Sequence, residues 1–223
     1  MSINATSVLL VDDHPLVIAG VRASLEMVDD IRVVAQASCA REAMQELAVR
    51  HVDVALLDIN LPDENGLMLL QRIKRIYPQI AVLMLSAYSE EIYALRALRA
   101  GADGYLIKGA PLAALVDAVR KAASGGKNFS AFLSELLVRQ VQSGDIKGHS
   151  EGHSALTPRE FDIMMRLVAG ESTGRIAAQL NRSPKTISTH RSRLFEKLNV
   201  QSIAELARYA MENGLIGPAR TDK

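Results

Sequence analysis

The sequence is poor in the residue types from which several kinds of site are built. Tryptophan is absent and aromatics make up 4% of the 223 residues, too few for an aromatic-lined ligand pocket or a base-stacking platform. There is one cysteine, Cys39. A single thiol closes no internal disulfide and builds no multi-cysteine zinc site, so a reducing cytoplasm is the expected compartment and Cys39 reads as a small packing residue. No apolar run approaches the roughly 18 residues of a membrane-spanning helix, so no membrane partner is expected. The start, MSINATSVLLVDDH, has no basic residue, and its apolar stretch covers only Val8 to Val11; a signal peptide is not expected. No G-x-G-x-x-G follows the first apolar run and no Walker lysine motif occurs, which leaves dinucleotide binding and P-loop chemistry without support.

What remains is an ordinary globular composition, 48% hydrophobic and 23% charged, in a chain long enough for two small domains. The net charge of +1 conceals an asymmetry. Residues 1–126 carry 12 Lys and Arg against 15 Asp and Glu, whereas residues 155–223 carry 11 against 7. An acidic first part and a basic last part suggest two domains with different partners. Between them, Phe129 to Gln142 has apolar residues at helical spacing and predicts a connecting helix. Ser143 to Ser154, SGDIKGHSEGHS, has the composition of a flexible tether. Its His149 and His153 lack the further ligands that a metal site needs. The expected boundaries are 6–126, 127–154 and 155–219.

Residues 7–126 alternate short apolar runs with longer amphipathic patterns. The predicted strands are Val8–Val11, Arg32–Ala35, Val54–Leu57, Ala81–Leu85 and Gly104–Ile107. Helical spacing covers about 14–28, 39–50, 65–77, 89–100 and 111–124. Near-continuous apolar strands joined by helices predict a five-stranded, doubly wound parallel sheet of the α/β class. Pro62 and the glycines at 66, 101 and 104 read as turn and helix-end residues. Residues 155–216 contain no strand-like run. Thr157-Pro158-Arg159-Glu160 and Ser183-Pro184 are helix starts, and helices over about 158–170, 173–180, 184–198 and 201–213 predict a separate all-α, four-helix domain.

The most informative pattern is positional. Val8–Val11 is followed by Asp12 and Asp13, Val54–Leu57 by Asp58, Val82–Leu85 by Ser86, and Tyr105–Ile107 by Lys108. In a parallel sheet those carboxyl ends share one edge, where such folds bind ligands. Three converging carboxylates repel unless a proton or cation relieves them. Oxygen donors with open positions suit Mg²⁺. Lys108 would neutralise charge on a transferring phosphoryl group, Ser86 would hydrogen-bond one of its oxygens, and a carboxylate can be the nucleophile. Asp58, on the strand expected to be central, is the best candidate.

The pieces VDDHPLV (Val11–Val17), LLDINLPDENGL (Leu56–Leu67), MLSA (Met84–Ala87) and GADGYLIKG (Gly101–Gly109) resemble the receiver domain of two-component response regulators, a flavodoxin-like fold. The resemblance implies that Asp58 accepts a phosphoryl group from a phosphohistidine on a sensor histidine kinase. It implies that Asp13, Asp58 and the backbone carbonyl of Asn60 bind Mg²⁺ directly and that Asp12 acts through water. Lys108 and Ser86 would hold the phosphoryl oxygens, and Tyr105 would turn inward as Ser86 moves. Asn60 and Tyr88 would lie near the path of the attacking water.

In the basic part, Thr173–Leu180, a turn, and Pro184–Leu198 read as a helix-turn-helix. Arg182 to Lys197 holds five cations against Glu196 alone. The second helix offers small polar side chains and flanking cations, as a recognition helix requires, with Ile187, Leu194 and Leu198 as its buried stripe. LTPRE (Leu156–Glu160), IAAQLNRSPKTISTHRSRLFEKLNV (Ile176–Val200) and AELARYAMENGLI (Ala204–Ile216) resemble the LuxR-type domain of the NarL/FixJ class. The resemblance implies that Ser188, Thr189 and Ser192 read bases in promoter DNA. It implies that Lys185, Thr186, His190, Arg191 and Arg193 make backbone or flanking contacts, and that the last helix carries a homodimer contact. RNA polymerase is an expected further partner. The whole chain then reads as a phosphorylation-controlled transcription factor rather than an enzyme. Two other readings have less behind them. An aspartate-nucleophile hydrolase commonly carries a second Asp where Asn60 stands, and Asn60 is a poor proton donor. A ligand-gated regulator, such as an acyl-homoserine-lactone sensor, conflicts with the scarcity of aromatics.

Overall fold

A computed structural model of the chain describes residues 5–86, 90–130, 133, 135, 152–180 and 182–216. The chain divides into two compact units, Met1–Arg139 and Gln140–Lys223.

The first unit is a parallel sheet with helices between its strands. The strands are β1 (Thr6–Val11), β2 (Ile31–Ala37), β3 (Val54–Asp58), β4 (Ala81–Ser86) and β5 (Gly104–Ile107), and the helices are α1 (Pro15–Leu25), α2 (Ala40–Val49), α3 (Gly66–Ile76), α4 (Glu90–Arg99) and α5 (Leu112–Ala123). The spatial order is β2-β1-β3-β4-β5, so β3 is central. Alternation within the strands feeds two cores. Val8, Leu10, Val54, Leu56, Leu83 and Leu85 join Leu115, Val116 and Val119 of α5 in one buried cluster. The intervening Leu9, Val11, Ala55, Leu57, Val82 and Met84 are also buried, as both faces of a fully covered sheet require. Cys39 is a buried free thiol just before α2.

Gly66 stands at a helix end as expected, where a close approach also requires glycine, and Gly104 departs from the turn and helix-end reading. Gly66 opens α3 against the backbone of β3: its N–H donates to the Ile59 carbonyl at 2.7 Å. A Cβ there would meet the Asp58 carbonyl oxygen and stand 2.9 Å from the Asp58 carbonyl carbon. Gly104 lies within β5, where a Cβ would come 2.6 Å from both the Asn128 carbonyl and the Leu83 side chain. Gly101, at φ +99°, is a true helix-end glycine.

The second unit has α6 (Pro158–Val168), α7 (Thr173–Gln179), α8 (Pro184–Leu198) and α9 (Ile203–Glu212). The capping box is formed in full: Thr157 Oγ1 accepts from the Glu160 N–H, and Glu160 accepts from the Thr157 N–H. Ser172, Ser183 and Ser202 cap the next three helices. Most of the predicted connecting helix, and the tether up to residue 151, lie outside the described residues. The end of the tether is corrected: Gly152–Ala155 is a 3-10 turn. The turn is held because the His153 N–H donates to the Tyr209 hydroxyl at 2.8 Å.

Candidate functional site

The register of the sheet explains why residues far apart in the chain meet. Val11 pairs with Leu57, so Asp12 follows beside Asp58, the last residue of β3. Asp58 pairs with Leu85, one residue before Ser86. Ser86 pairs with Ile107, one residue before Lys108, and the Lys108 N–H donates to the Ser86 carbonyl at 2.7 Å. Each strand end thus delivers one polar side chain to a single rim.

Within that rim Lys108 Nζ lies 2.7 Å from Asp12 Oδ2 and 2.9 Å from Asp58 Oδ2. Asp12, Asp58 and Ser86 are buried, whereas Asp13 faces solvent. Ligand atoms of Asp12, Asp13, His14 and Asp58 all lie within 4.8 Å of one another. Hard carboxylate oxygens at this spacing, one of them open to solvent, fit a small divalent cation that keeps some of its waters. Burial raises the Asp58 carboxyl above the ordinary aspartate value and outweighs the opposing hydrogen bond and charge of Lys108; Asp12 adds to the rise. For Lys108, burial alone would lower the value, but the hydrogen bonds to Asp12 and Asp58 overcome it and hold the ammonium more firmly protonated. The site is a compact net-negative cradle with one fixed cation.

Asn60 follows two residues on, and its backbone N–H bonds the Asp58 carboxylate. It is bridged to Asn65, whose side chain caps α3. Tyr105 is 4% exposed and pairs with Met84, two residues before Ser86 and on the same face of the sheet. Tyr88 lies outside the described residues. The sequence reasoning missed His14, whose ring Nδ1 is 2.6 Å from Asp13 Oδ1 and 3.2 Å from Asp12 Oδ1. Its adjacency to the aspartate pair was the available signal.

In the second unit, α8 buries Ile187, Leu194 and Leu198 and exposes Lys185, Thr186, Ser188, Thr189, Arg191, Ser192 and Arg193. Positions 185, 188, 189 and 192 fall at helical spacing on one exposed face. The Thr189 and Ser192 hydroxyls donate to the Lys185 and Ser188 carbonyls at 3.0 and 3.1 Å, so they are satisfied within the helix. Arg191 lies over the Phe195 ring, 5.2 Å from its centroid. His190 is half-buried, and that burial, followed by the charge of Arg159, keeps its ring below the ordinary histidine value. Lys197, one of the five cations counted over this helix, has its Nζ 2.6 Å from Glu160 Oε2 and so ties α8 to α6.

Residues 8–120 match the family model described as the response regulator receiver domain, and residues 154–210 match the bacterial regulatory proteins of the luxR family. The chain is a response regulator of the NarL/FixJ class. The regulator is 35% identical over 210 residues to the response regulator UvrY of Escherichia coli strain K12, covering 94% of this chain and 95% of that protein. It is 32% identical over 212 residues to the response regulator GacA of Pseudomonas aeruginosa, covering 95% and 98%. Among solved structures, RcsB from Salmonella enterica serovar Typhimurium, bound to promoter P1flhDC in the presence of the phosphomimetic BeF3⁻, superposes with a TM-score of 0.68. It is 25% identical, with 94% of this chain and 100% of that chain covered. The regulator therefore joins a receiver domain to a LuxR-type DNA-binding domain. Among the described residues no helix is long and apolar enough to cross a membrane.

Proposed function

We propose that Asp58 is the phosphoacceptor and that its modification controls how the α8 face engages promoter DNA. The observation that carries this reading is the Lys108 ammonium held between Asp12 and Asp58 on a buried acidic rim. A carboxylate oxygen of Asp58 attacks the phosphorus of a phosphohistidine on a sensor histidine kinase. The P–O bond forms as the P–N bond breaks, and the imidazole leaves and takes up a proton. Lys108 and the Ser86 hydroxyl hold the equatorial oxygens. Asp12, Asp13, Asp58 and the Asn60 carbonyl would hold Mg²⁺, which when bound supplies positive charge against the transferring group.

Phosphorylation adds roughly −1.5 to −2 charge and strong acceptor oxygens. Ser86 is drawn towards them, and Tyr105, on the same face of the neighbouring strand β5, repacks. That biases the surface around α4 and β5 between two arrangements. The readout is a homodimer on paired half-sites, whose avidity exceeds that of a single domain through effective concentration. Ser188, Thr189 and Ser192 read bases, for which the Thr189 and Ser192 hydroxyls exchange their intrahelical acceptors for DNA ones. Lys185, Thr186, Arg191 and Arg193 contact the backbone, and His190 supports the helix from its inner side. Residues 6–126 form the receiver, 127–154 the connection and 155–219 the DNA-binding domain. The protein works in the cytoplasm, with RNA polymerase as the final partner.

Footprinting with acetyl phosphate and Mg²⁺, beside Asp58→Asn, tests the control. Occupancy should rise on phosphorylation in the wild type and stay constant in the variant. Equal occupancy in every state defeats the proposal.

A further inference from the structure

We propose that His14 is a positioning residue for the cation-binding carboxylates, an inference that rests on the phosphoacceptor reading above. His14 occupies the N-cap of α1, yet its side chain makes no capping hydrogen bond. Asn65, Thr157, Ser172, Ser183 and Ser202 each cap their own helices, as N-cap residues ordinarily do. At α1, as at α2 with Cys39 and α5 with Pro111, no side chain caps the helix, and here the imidazole turns back to the rim.

Its conformation is constrained from the chain itself. Pro15 follows, and a residue before proline is pushed into extended backbone; His14 sits at φ −100°, ψ 106°. From there the His14 N–H donates to Asp12 Oδ1 at 2.9 Å. Ring Nδ1 lies 3.2 Å from the same oxygen and 2.6 Å from Asp13 Oδ1. Carboxylates only accept, so Nδ1 carries the proton in this arrangement. Asp12 is then bracketed: His14 holds Oδ1 and Lys108 holds Oδ2. Asp13 and His14 are the exposed members of the cluster, with side chains 34% and 64% exposed, and a free exposed carboxylate rotates. The imidazole lies against Asp13 Oδ1 and so restricts that rotation. Partners of this kind, which orient ligands without binding the metal, typically carry 10–100-fold in metal affinity.

The test is calorimetric titration of Mg²⁺ into the unphosphorylated full-length protein and its variants. Asn presents an amide N–H close to where the ring Nδ1–H lies, whereas Leu fills space without a donor. We expect His14→Leu to weaken Mg²⁺ binding roughly tenfold and His14→Asn to restore most of it, with all three proteins melting at similar temperatures in EDTA. Electron-spin-echo spectroscopy of the Mn²⁺-loaded wild type should show no directly coordinated imidazole nitrogen. Equal Mg²⁺ affinity in wild type and His14→Leu, failure of Asn to rescue, or a directly bound imidazole nitrogen overturns the inference. If the wild type itself binds no Mg²⁺, the underlying reading fails instead.

Discussion

Replacing Gly66 with alanine sets two physical effects against each other. Gly66 is the first residue of α3, and by helix propensity alone alanine there should gain up to about 1 kcal/mol. The packing points the other way. The added carbon would run into the Asp58 carbonyl oxygen and stand only 2.9 Å from the Asp58 carbonyl carbon and the Ile59 Cα. Carbon atoms are comfortable at about 3.5–4.0 Å, so the backbones must separate by more than half an ångström. That motion also strains the 2.7 Å hydrogen bond from Gly66 to Ile59. All the obstructing atoms are main chain at the carboxyl end of the central strand, so no side-chain rotation relieves them. Overpacking of this kind costs typically 1–3 kcal/mol, and the small propensity credit at a helix end does not cancel it. For a receiver of this size the loss is a fall of roughly 5–10 °C in the melting transition, read by circular dichroism. Phosphorylation by acetyl phosphate should slow as well, because the displaced backbone carries the acceptor. Gly20 is the control: it lies within α1 with nothing within 4 Å of a Cβ, so Gly20→Ala should stabilise by about 0.5–1 kcal/mol. A Gly66→Ala protein that melts at or above the wild type refutes the reasoning.

Lys108→Met leaves Asp12 and Asp58 side by side without their cation. We expect a loss of roughly 2–4 kcal/mol in EDTA by urea unfolding, somewhat below that of a fully enclosed pair, with part recovered in Mg²⁺; equal stability in EDTA would contradict the ion-pair account. Burial raises the folded-state pKa of Asp58, so the folded protein holds that proton more tightly than the unfolded chain. Stability should therefore fall as pH rises from the ordinary aspartate value through the raised one, and metal-free Asp58→Asn should lack this part of the slope. Glu160→Ala removes half of a capping box and the partner of Lys197, and should cost about 1–2 kcal/mol near neutral pH. Burial of Glu160 is outweighed by its bonds to Lys197 and Thr157, which hold its carboxyl below the usual glutamate value. The stability it confers is present above that usual value and is lost as pH falls through the lowered one, so wild type and variant should converge in acid.

Local patterns carried most of the architecture into the sequence. The continuous runs of β3 and β4 are legible because both faces of those strands are buried. The edge strand β2, with exposed Arg32 and Gln36, was read too short for the converse reason: a polar residue on an exposed edge breaks the apolar run without ending the strand. The polar residues at the carboxyl ends of β1, β3, β4 and β5 are legible as a set, since parallel register carries equal positions to one rim. Contacts across the chain were not. Nothing near Gly66 in the sequence says that the Asp58 carbonyl passes beside it, and nothing near Lys197 says that Glu160 neutralises it. The 3-10 turn at Gly152 depends on Tyr209, more than fifty residues later. The bond from His14 to the aspartates is short-range, but it depends on which way one ring turns.

The central claim is that the rim delivers a phosphoryl group to one carboxylate. The direct test is to phosphorylate the full-length protein with acetyl phosphate and Mg²⁺, reduce the acyl phosphate with borohydride, and locate the altered residue by peptide mass. The account predicts a single converted site at Asp58, lost when Mg²⁺ is chelated and absent from Asp58→Asn. Conversion at another aspartate in the wild type, or none at all, would contradict it.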